Sequence, residues 1–447
     1  VFMTLNEVRS ALLLPLSETD LPLTGISTDT RTIKPGDLFV ALVGENFDGH
    51  EYVQRALALG AVAAVVQRPI DGSDGKILYV PSTLEAYGKI AGAWRHRFNI
   101  PVLAITGSVG KTTMKEMLGL TLSALGPVLK SERNENNEIG VPLTMLRLND
   151  SHRSLVIEMG MRGFGQVQYL TGIVQPTIGI ITMIGESHIE ILGSREAIAD
   201  AKGELLEGLG AESFAILNGD DPFYTRLLAK TSCRVRTFGV SETADVRVCE
   251  SVKEGDGWRL SLSIDGESFE LFIHSPAHHD VMNAAGAIAA AIAAGAAPRD
   301  AVKSMDSYLP SHMRMEVLTL SSGAIVLSDC YNAAPSSVKS ALLTLSESKK
   351  GGIKSAFLGD MRELGSYSAA MHKDVADEAL RLGIDHIYTI GESMGNAFPN
   401  ALAHFSNSDE AAKYAAEKFD FKGDDIALVK GSRALELEKI TESLVRL

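Results

Sequence analysis

Short apolar runs rich in valine, isoleucine and leucine recur along the chain, separated by stretches whose apolar residues fall at every third or fourth position. The first pattern predicts buried strands and the second predicts helices packed by one face. The sharpest junction between them lies at residues 101–117. The run 102–105 stops at Thr106-Gly107-Ser108-Val109-Gly110-Lys111-Thr112-Thr113, and Met114, Met117, Leu118 and Thr121 then keep helical spacing.

Residues 1–98 form a first predicted unit, with strand-like runs at 37–43, 61–66 and 76–80 around a helix at 52–59. The second unit, 99–309, begins with the junction above and continues through strands at 128–130, 154–157 and 177–183. Asp221 before Pro222 is a plausible helix cap. Residues 234–273 alternate strands and turns and read as antiparallel hairpins appended to a parallel sheet. The alanine-rich run 281–297, preceded by His278, His279 and Asp280, is short for a membrane span and predicts a buried helix. In the third unit, 310–447, strands at 324–328, 355–358, 386–390 and 426–429 alternate with helices, which predicts a doubly wound sheet. The expected fold is therefore α/β with three domains: a small N-terminal α/β domain, a central phosphate-loop domain on a mainly parallel sheet, and a C-terminal doubly wound, Rossmann-like domain.

Strand, glycine loop and helix at 101–117 suit a polyphosphate. Glycines let the backbone approach, successive N–H groups point inward, and the helix start adds partial positive charge. Lys111 would reach the terminal phosphates and the Thr112 hydroxyl would ligate Mg²⁺. Where the common pattern has a glycine five residues before Gly110, this chain has Ile105, so the loop is a shortened variant. Glu158, ending a strand of the same sheet, stands where nucleotide enzymes place a second Mg²⁺ contact. Lys202 shares a helical stripe with Ile198, Leu205 and Leu209 and so points inward. Two fates are open to it: its stem snorkels to the surface, or its neutral amine takes up CO₂ beside a metal and becomes an anionic carbamate. At the carboxyl ends of the third unit's strands stand Asp329-Cys330-Tyr331-Asn332, Arg362-Glu363 and Lys430-Gly431-Ser432-Arg433. Two arginines and a lysine there suggest an anionic partner, since ligands of such sheets sit at that edge.

The chain has 447 residues and a formal net charge of −14, which argues against non-specific binding of nucleic acid or anionic membranes. Cys233, Cys249 and Cys330 lack metal-ligand spacing and fit a reducing compartment. The N-terminal residues do not read as a secretion signal, and a cytoplasmic location is expected.

In order along the chain, TGSVGKTT, NENNEIGVP, EMGM, GESHIE, AKGELLEGL, LNGDD, HHDVMNAA, DCYNAAPSS, LGDMRELG and VKGSR resemble the Mur ligase family of ATP-dependent amide ligases. DCYNAAPSS and LGDMRELG are most similar to the members that add D-alanyl-D-alanine. The resemblance implies ligation of that dipeptide to UDP-N-acetylmuramoyl-tripeptide through an acyl phosphate, and with it a part in cell-wall biogenesis, cell shape and division. Another Mur-type amino-acid ligase, or a phosphate-loop kinase or NTPase, are the alternatives. It implies ATP held by Gly107, Ser108, Val109, Gly110, Lys111, Thr112 and Thr113, with Asn283 at adenine and Arg314 and Asp329 at the nucleotide. It implies Mg²⁺ on Thr112 and Glu158, a second metal on His188 and a carbamylated Lys202, and catalytic roles for Lys111, Lys202, His188 and Arg314. Ser27, Asp29, Arg31, Asn46 and Asp48 are expected at the UDP-sugar, and Asn134, Asn136, Asn137, Tyr331 and Asn332 at the remaining substrate. A monomer that closes around its ligands, open without them, is expected. The chain departs from the family at Met313, before Arg314, where a hinge glycine is usual, and at Gln166, where Gly-Glu is expected after EMGM.

Overall fold

The computed structural model describes residues 2–70, 76–348, 351–419 and 421–446. Packing divides the chain into two compact units, one of residues 1–104, 127–160 and 168–176, the other of 105–126, 161–167 and 177–447.

The first unit carries a four-stranded parallel sheet in the order Ile26–Ser27, Leu38–Val40, Ala63–Val66, Ile77–Tyr79. Both faces of these β-branched and alanine-rich runs are covered, so Leu38 to Val40 and Ala63 to Val66 are buried throughout. The strand expected at 37–43 ends at Val40. A small antiparallel hairpin, Val43–Gly44 with Phe47–Asp48, follows it and lifts the polar Glu45 and Asn46 away from the sheet. The predicted helix at 52–59 runs Val53–Ala58 after a 3₁₀ turn, Gly49–Tyr52, capped by Asp48. Strands Val128–Lys130 and Ser154–Glu158, paired in parallel, belong to the same unit.

In the second unit the strands Glu267–Ile273, Gly257–Ile264, Val246–Glu254, Arg234–Gly239, Phe214–Asn218 and Ile178–Ile181 lie side by side in that order. The hairpins expected at 234–273 start later than anticipated. Arg234–Gly239 pairs in parallel with Phe214–Asn218, and only the three strands from Val246 onward are antiparallel to one another. The helix Lys111–Thr121 packs on the alanine-rich helix His279–Ala293, whose small side chains allow close approach and which is buried along most of its length.

A second sheet of this unit has six strands in the order Glu316–Thr319, Ile325–Ser328, Ile426–Lys430, Lys354–Gly359, His386–Ile390, Ala403–Phe405. All neighbours after the first pair are parallel, as a doubly wound sheet requires. The two edge strands were not anticipated. Glu316–Thr319 is only half-buried and Ala403–Phe405 is short, so neither carries the continuous apolar run that marks the central strands. Among the described residues no helix is long and apolar enough to cross a membrane.

Candidate active site

The strand Val102–Thr106 is buried at every position and runs into the glycine loop. Gly110 caps the following helix with φ 87°, a left-handed conformation open to glycine at little cost, and a Cβ there would stand 2.6 Å from Asn283 Oδ1. The loop is held from behind. Ser108 N–H donates to Met183 O at 2.9 Å, Thr182 Oγ1 donates to Val109 O at 2.5 Å, and Ser187 Oγ donates to Ser108 O at 3.1 Å. Lys111 folds back to donate to Gly107 O at 2.7 Å, so its ammonium crosses the mouth of the loop. Thr112 stands at the first turn of the helix, and Thr113 is hydrogen-bonded to the buried Tyr308 hydroxyl. Asn283 is buried and donates to Asp280 Oδ1 at 3.3 Å, which fixes its carboxamide against Gly110.

Lys202 lies on the helix Arg195–Glu207, whose N-cap is Ser194. Its side chain does not snorkel: only 1% of the residue is exposed. Burial, and after it the charge of Lys111, hold the Lys202 amine well below its ordinary pKa. His188 occupies a left-handed backbone conformation, φ 70°, and its Nδ1 is 2.7 Å from Glu363 Oε2. The nearby His188 lowers the Glu363 pKa, aided by the charges of Arg162 and Lys111. Asp221 is not a helix cap as expected. Its Oδ2 accepts from Ile184 N–H at 2.8 Å and its Oδ1 from Phe223 N–H at 2.8 Å, so it anchors the loop leading to His188, and the helix begins at Tyr224.

At the carboxyl edge of the six-stranded sheet, Lys430 and Arg433 are already engaged within the chain. Lys430 Nζ is 2.6 Å from Asp329 Oδ2 and 3.0 Å from Asn332 O, and Arg433 pairs with Glu438. The guanidinium of Arg314 lies 4.2 Å from the centre of the Tyr331 ring. Arg362 is exposed and makes no ion pair among the described residues. It borders a cleft of about 210 Å³ lined also by Ser187, Asn332, Glu363, Leu364 and Ser432. Sequence reasoning placed Arg362 and Glu363 at this edge, with Arg362 one of the two arginines facing an anionic partner, but gave neither a named role. Their signal was position at a strand end, which is shared by many solvated residues.

In the first unit, Glu158 is buried, its N–H donates to Ser131 Oγ at 3.1 Å, and its Oε1 accepts from Asn136 Nδ2 at 3.0 Å. Asn137 Oδ1 accepts from Ile139 and Gly140 N–H at 3.2 and 2.9 Å, stabilising its own turn, and Asn134 is exposed. Ser27 Oγ donates to Asp29 O at 2.9 Å, and Asp29 forms a two-pronged pair with Arg31, whose Nη2 is 2.6 Å away. Asp48 accepts from His50 N–H at 2.9 Å and from Arg68 at 2.6 Å, while Asn46 is exposed at the hairpin tip.

A glycine loop braced at a strand-to-helix junction, with a charged cleft at the edge of a doubly wound sheet in the same unit, defines a phosphate-loop enzyme with a second substrate site. Family models match as follows: "Mur ligase family, catalytic domain" at 22–95, "Mur ligase middle domain" at 105–291, and "Mur ligase, glutamate ligase domain" at 313–433. The chain is 36% identical over 431 residues to the UDP-N-acetylmuramoyl-tripeptide–D-alanyl-D-alanine ligase of Bacillus subtilis, covering 94% of this chain and 93% of that one. A crystal structure of MurF from Acinetobacter baumannii superposes with TM-score 0.89 at 31% identity over 99% of this chain and 98% of that one. MurF ligase from Thermotoga maritima in complex with ADP gives TM-score 0.86 at 26% identity, over 94% and 97%. The chain belongs to the Mur ligase family.

Proposed function

We propose that the chain is an ATP-dependent, ADP-forming ligase that joins D-alanyl-D-alanine to UDP-N-acetylmuramoyl-tripeptide, acting as a monomer in the cytoplasm on the precursor of peptidoglycan. The observation that carries this reading is the cleft of about 210 Å³. One of its walls, Ser187, is hydrogen-bonded to the phosphate loop, and another offers a free cation and a carboxylate, Arg362 and Glu363. A zwitterionic acceptor thus has a site beside the phosphates, which a kinase or NTPase does not need.

The reaction follows from that adjacency. The tripeptide carboxylate attacks the γ-phosphorus of ATP, its P–O bond to ADP breaks, and an acyl phosphate forms. The amine of the dipeptide then attacks the acyl carbon, loses a proton, and phosphate leaves as the amide forms. Bringing two anions together is the difficult part, so charge neutralisation and alignment dominate. Lys111 withdraws from Gly107 O to the transferred phosphoryl group, the loop amides hold the β-phosphate, and Arg314 approaches the nucleotide with Asn283 and Asp329. Arg362 receives the dipeptide carboxylate beside Tyr331 and Asn332. Ser27, Asp29, Arg31, Asn46 and Asp48 hold the UDP-sugar, with Asn134, Asn136 and Asn137 along the same substrate.

Among the described residues no group of three or more His, Cys, Asp or Glu side chains gathers that could hold a metal ion. The residues that would hold Mg²⁺ in this reading are Glu158, a buried carboxylate, Thr112, a hydroxyl at the helix start, His188 and Lys202. A Lys202 amine carbamylated by CO₂ would present oxygen ligands suited to a hard cation. Bound there, Mg²⁺ screens the phosphate charge. The proposed domains are 1–98 for the UDP-sugar, 99–309 for ATP and 310–447 for the nucleotide and the incoming dipeptide.

The test is phosphate release from ATP with UDP-N-acetylmuramoyl-tripeptide, with and without D-alanyl-D-alanine, while the UDP-pentapeptide is followed by mass. Release that requires both substrates and matches product one for one supports the ligase. Release indifferent to the dipeptide, or another phosphorylated acceptor, refutes it.

A further inference from the structure

Arg362, which borders the cleft, stands on a segment pinned from behind one amide at a time. After the strand Lys354–Gly359 ends, the next three N–H groups each find an acceptor on a different element. Asp360 N–H donates to Ile390 O at 3.0 Å, on the neighbouring strand. Met361 N–H donates to His372 Nε2 at 2.9 Å, on the helix Ser368–Arg381. Arg362 N–H donates to Ser432 Oγ at 2.9 Å, just beyond the strand Ile426–Lys430. Met361 and Leu364 are buried, whereas Arg362 and Glu363 between them are exposed. The acceptor supplied by His372 comes from a side chain that is 0% exposed. Its two ring nitrogens are assigned by their partners. Ser368 O, 2.8 Å from Nδ1, can only accept, and Met361 N–H can only donate. Nδ1 therefore carries the hydrogen and Nε2 the free lone pair. An apolar side chain would fill this interior position of the helix as well; what the imidazole adds is an acceptor for one backbone amide at the root of Arg362.

We propose that His372 is a positioning residue for the acceptor cleft: it fixes the Met361 amide and with it the direction from which Arg362 meets the carboxylate of the incoming dipeptide. A binding group keeps its geometry when the residues behind it are themselves locked. Ser432 holds the next amide, so two successive amides leading into Arg362 are held by side chains of other elements.

The inference rests on the reading of Arg362 as the group that receives the dipeptide, and the test separates the two. Steady-state kinetics of the full chain compare wild type, Arg362→Ala, His372→Asn, His372→Gln and the double variant Arg362→Ala with His372→Asn. Both amide replacements are uncharged and differ by one methylene. Glutamine can bring an oxygen to the place of Nε2, whereas asparagine can replace only Nδ1. His372→Asn is expected to raise the KM for D-alanyl-D-alanine about tenfold, as for loss of one hydrogen bond to a charged group. The KM values for ATP and UDP-N-acetylmuramoyl-tripeptide should not move, His372→Gln should recover most of the loss, and His372→Asn should add nothing in the Arg362→Ala background. A merely structural role would lower the melting temperature and the fraction of active enzyme without moving one KM alone, and that result overturns the proposal. A rise in Arg362→Ala with none in His372→Asn overturns the positioning role and spares the reading of Arg362. Multiplying effects in the double variant overturn it as well, since His372 would then act by another route. No change of the dipeptide KM in Arg362→Ala overturns both. A measurement on the wild type stands apart from any folding defect of His372→Asn: nitrogen-15 shifts of the histidine rings, with His372 identified as the signal missing from His372→Gln, should show a neutral ring with its hydrogen on Nδ1, and a hydrogen on Nε2 overturns the proposal.

Discussion

Replacing Lys202 by methionine should stabilise the protein while removing its activity, and the size of the stabilisation should depend on pH in a defined direction. The amine is 1% exposed, and its pKa is depressed well below 10.5 by burial and by Lys111. Between the native pKa and 10.5 the unfolded chain therefore binds one more proton than the native one at this position. Unfolding free energy then rises with pH by about 1.4 kcal/mol per unit across that window. Below the window the whole penalty is present; above 10.5 it has vanished. Methionine fills a similar volume and has no such slope, so the advantage of Lys202→Met should be greatest below the native pKa and shrink by about 1.4 kcal/mol per unit as the pH rises through the window. The assay is urea unfolding in CO₂-free buffer, with Trp94→Phe in both chains so that Trp258, in the same unit as Lys202, reports alone. Bicarbonate with Mg²⁺ should stabilise the lysine form and leave the methionine form unchanged. Parallel pH profiles for the two proteins, or a methionine variant less stable at neutral pH, would refute the neutral, buried amine.

Arg362→Ala should raise the KM for D-alanyl-D-alanine at least tenfold, since a hydrogen-bonded charge contributes about 1.5–3 kcal/mol, and leave the KM for ATP unchanged in steady-state assays. Arg433→Ala should affect the dipeptide less, because that guanidinium already pairs with Glu438. Lys111→Ala should lower kcat by about 100-fold or more with little change in the KM of either peptide substrate, as expected for a group acting on the transferred phosphoryl. Met313 sits at φ 57°, where the family usually has glycine. Met313→Gly removes about 1–2 kcal/mol of left-handed strain but adds roughly 0.5–1 kcal/mol of backbone entropy and loses packing. Denaturant titration should therefore find it within about 1 kcal/mol of wild type, whereas Met313→Ile, β-branched at positive φ, should be distinctly destabilised.

Much of this was legible because the chemistry is local. The phosphate loop is written in consecutive residues, and the periodicity around Lys202 was enough to aim it inward. Which fate it met was not, because burial depends on helices and strands distant in sequence. The missing hinge glycine is a case where sequence and structure agree on the backbone and differ on the residue: Met313 adopts the conformation a glycine would have taken. Asp221 was misread for a physical reason, since aspartate before proline suits a cap or a turn equally. Only the Ile184 N–H, brought near by the fold, decides between them. The anionic partner was expected from Arg362, Arg433 and Lys430, and of these Lys430 and Arg433 pair within the chain with Asp329 and Glu438. Arg362 is exposed and makes no ion pair among the described residues.

The non-glycine residues at positive φ sharpen the argument about where conformational strain is kept. Several, such as Leu13, Asp265 and Glu436, belong to turns or helix ends. Four others come in two pairs at proposed site positions: His188 and Glu363 face each other, and Met313 and Met315 flank Arg314. A left-handed residue relaxes readily when its surroundings let go, so strain at both places favours release of whichever contacts enforce it. At His188 the enforcing contact is Glu363; at Arg314 it includes the stacking of the guanidinium on Tyr331. Each contact involves a residue from the strand ends of the six-stranded sheet. Displacement of that edge would thus release His188 and Arg314 together; if they hold metal and nucleotide as proposed, phosphoryl transfer would be competent only while the edge is in place. An acyl phosphate made without that cleft would be lost to water.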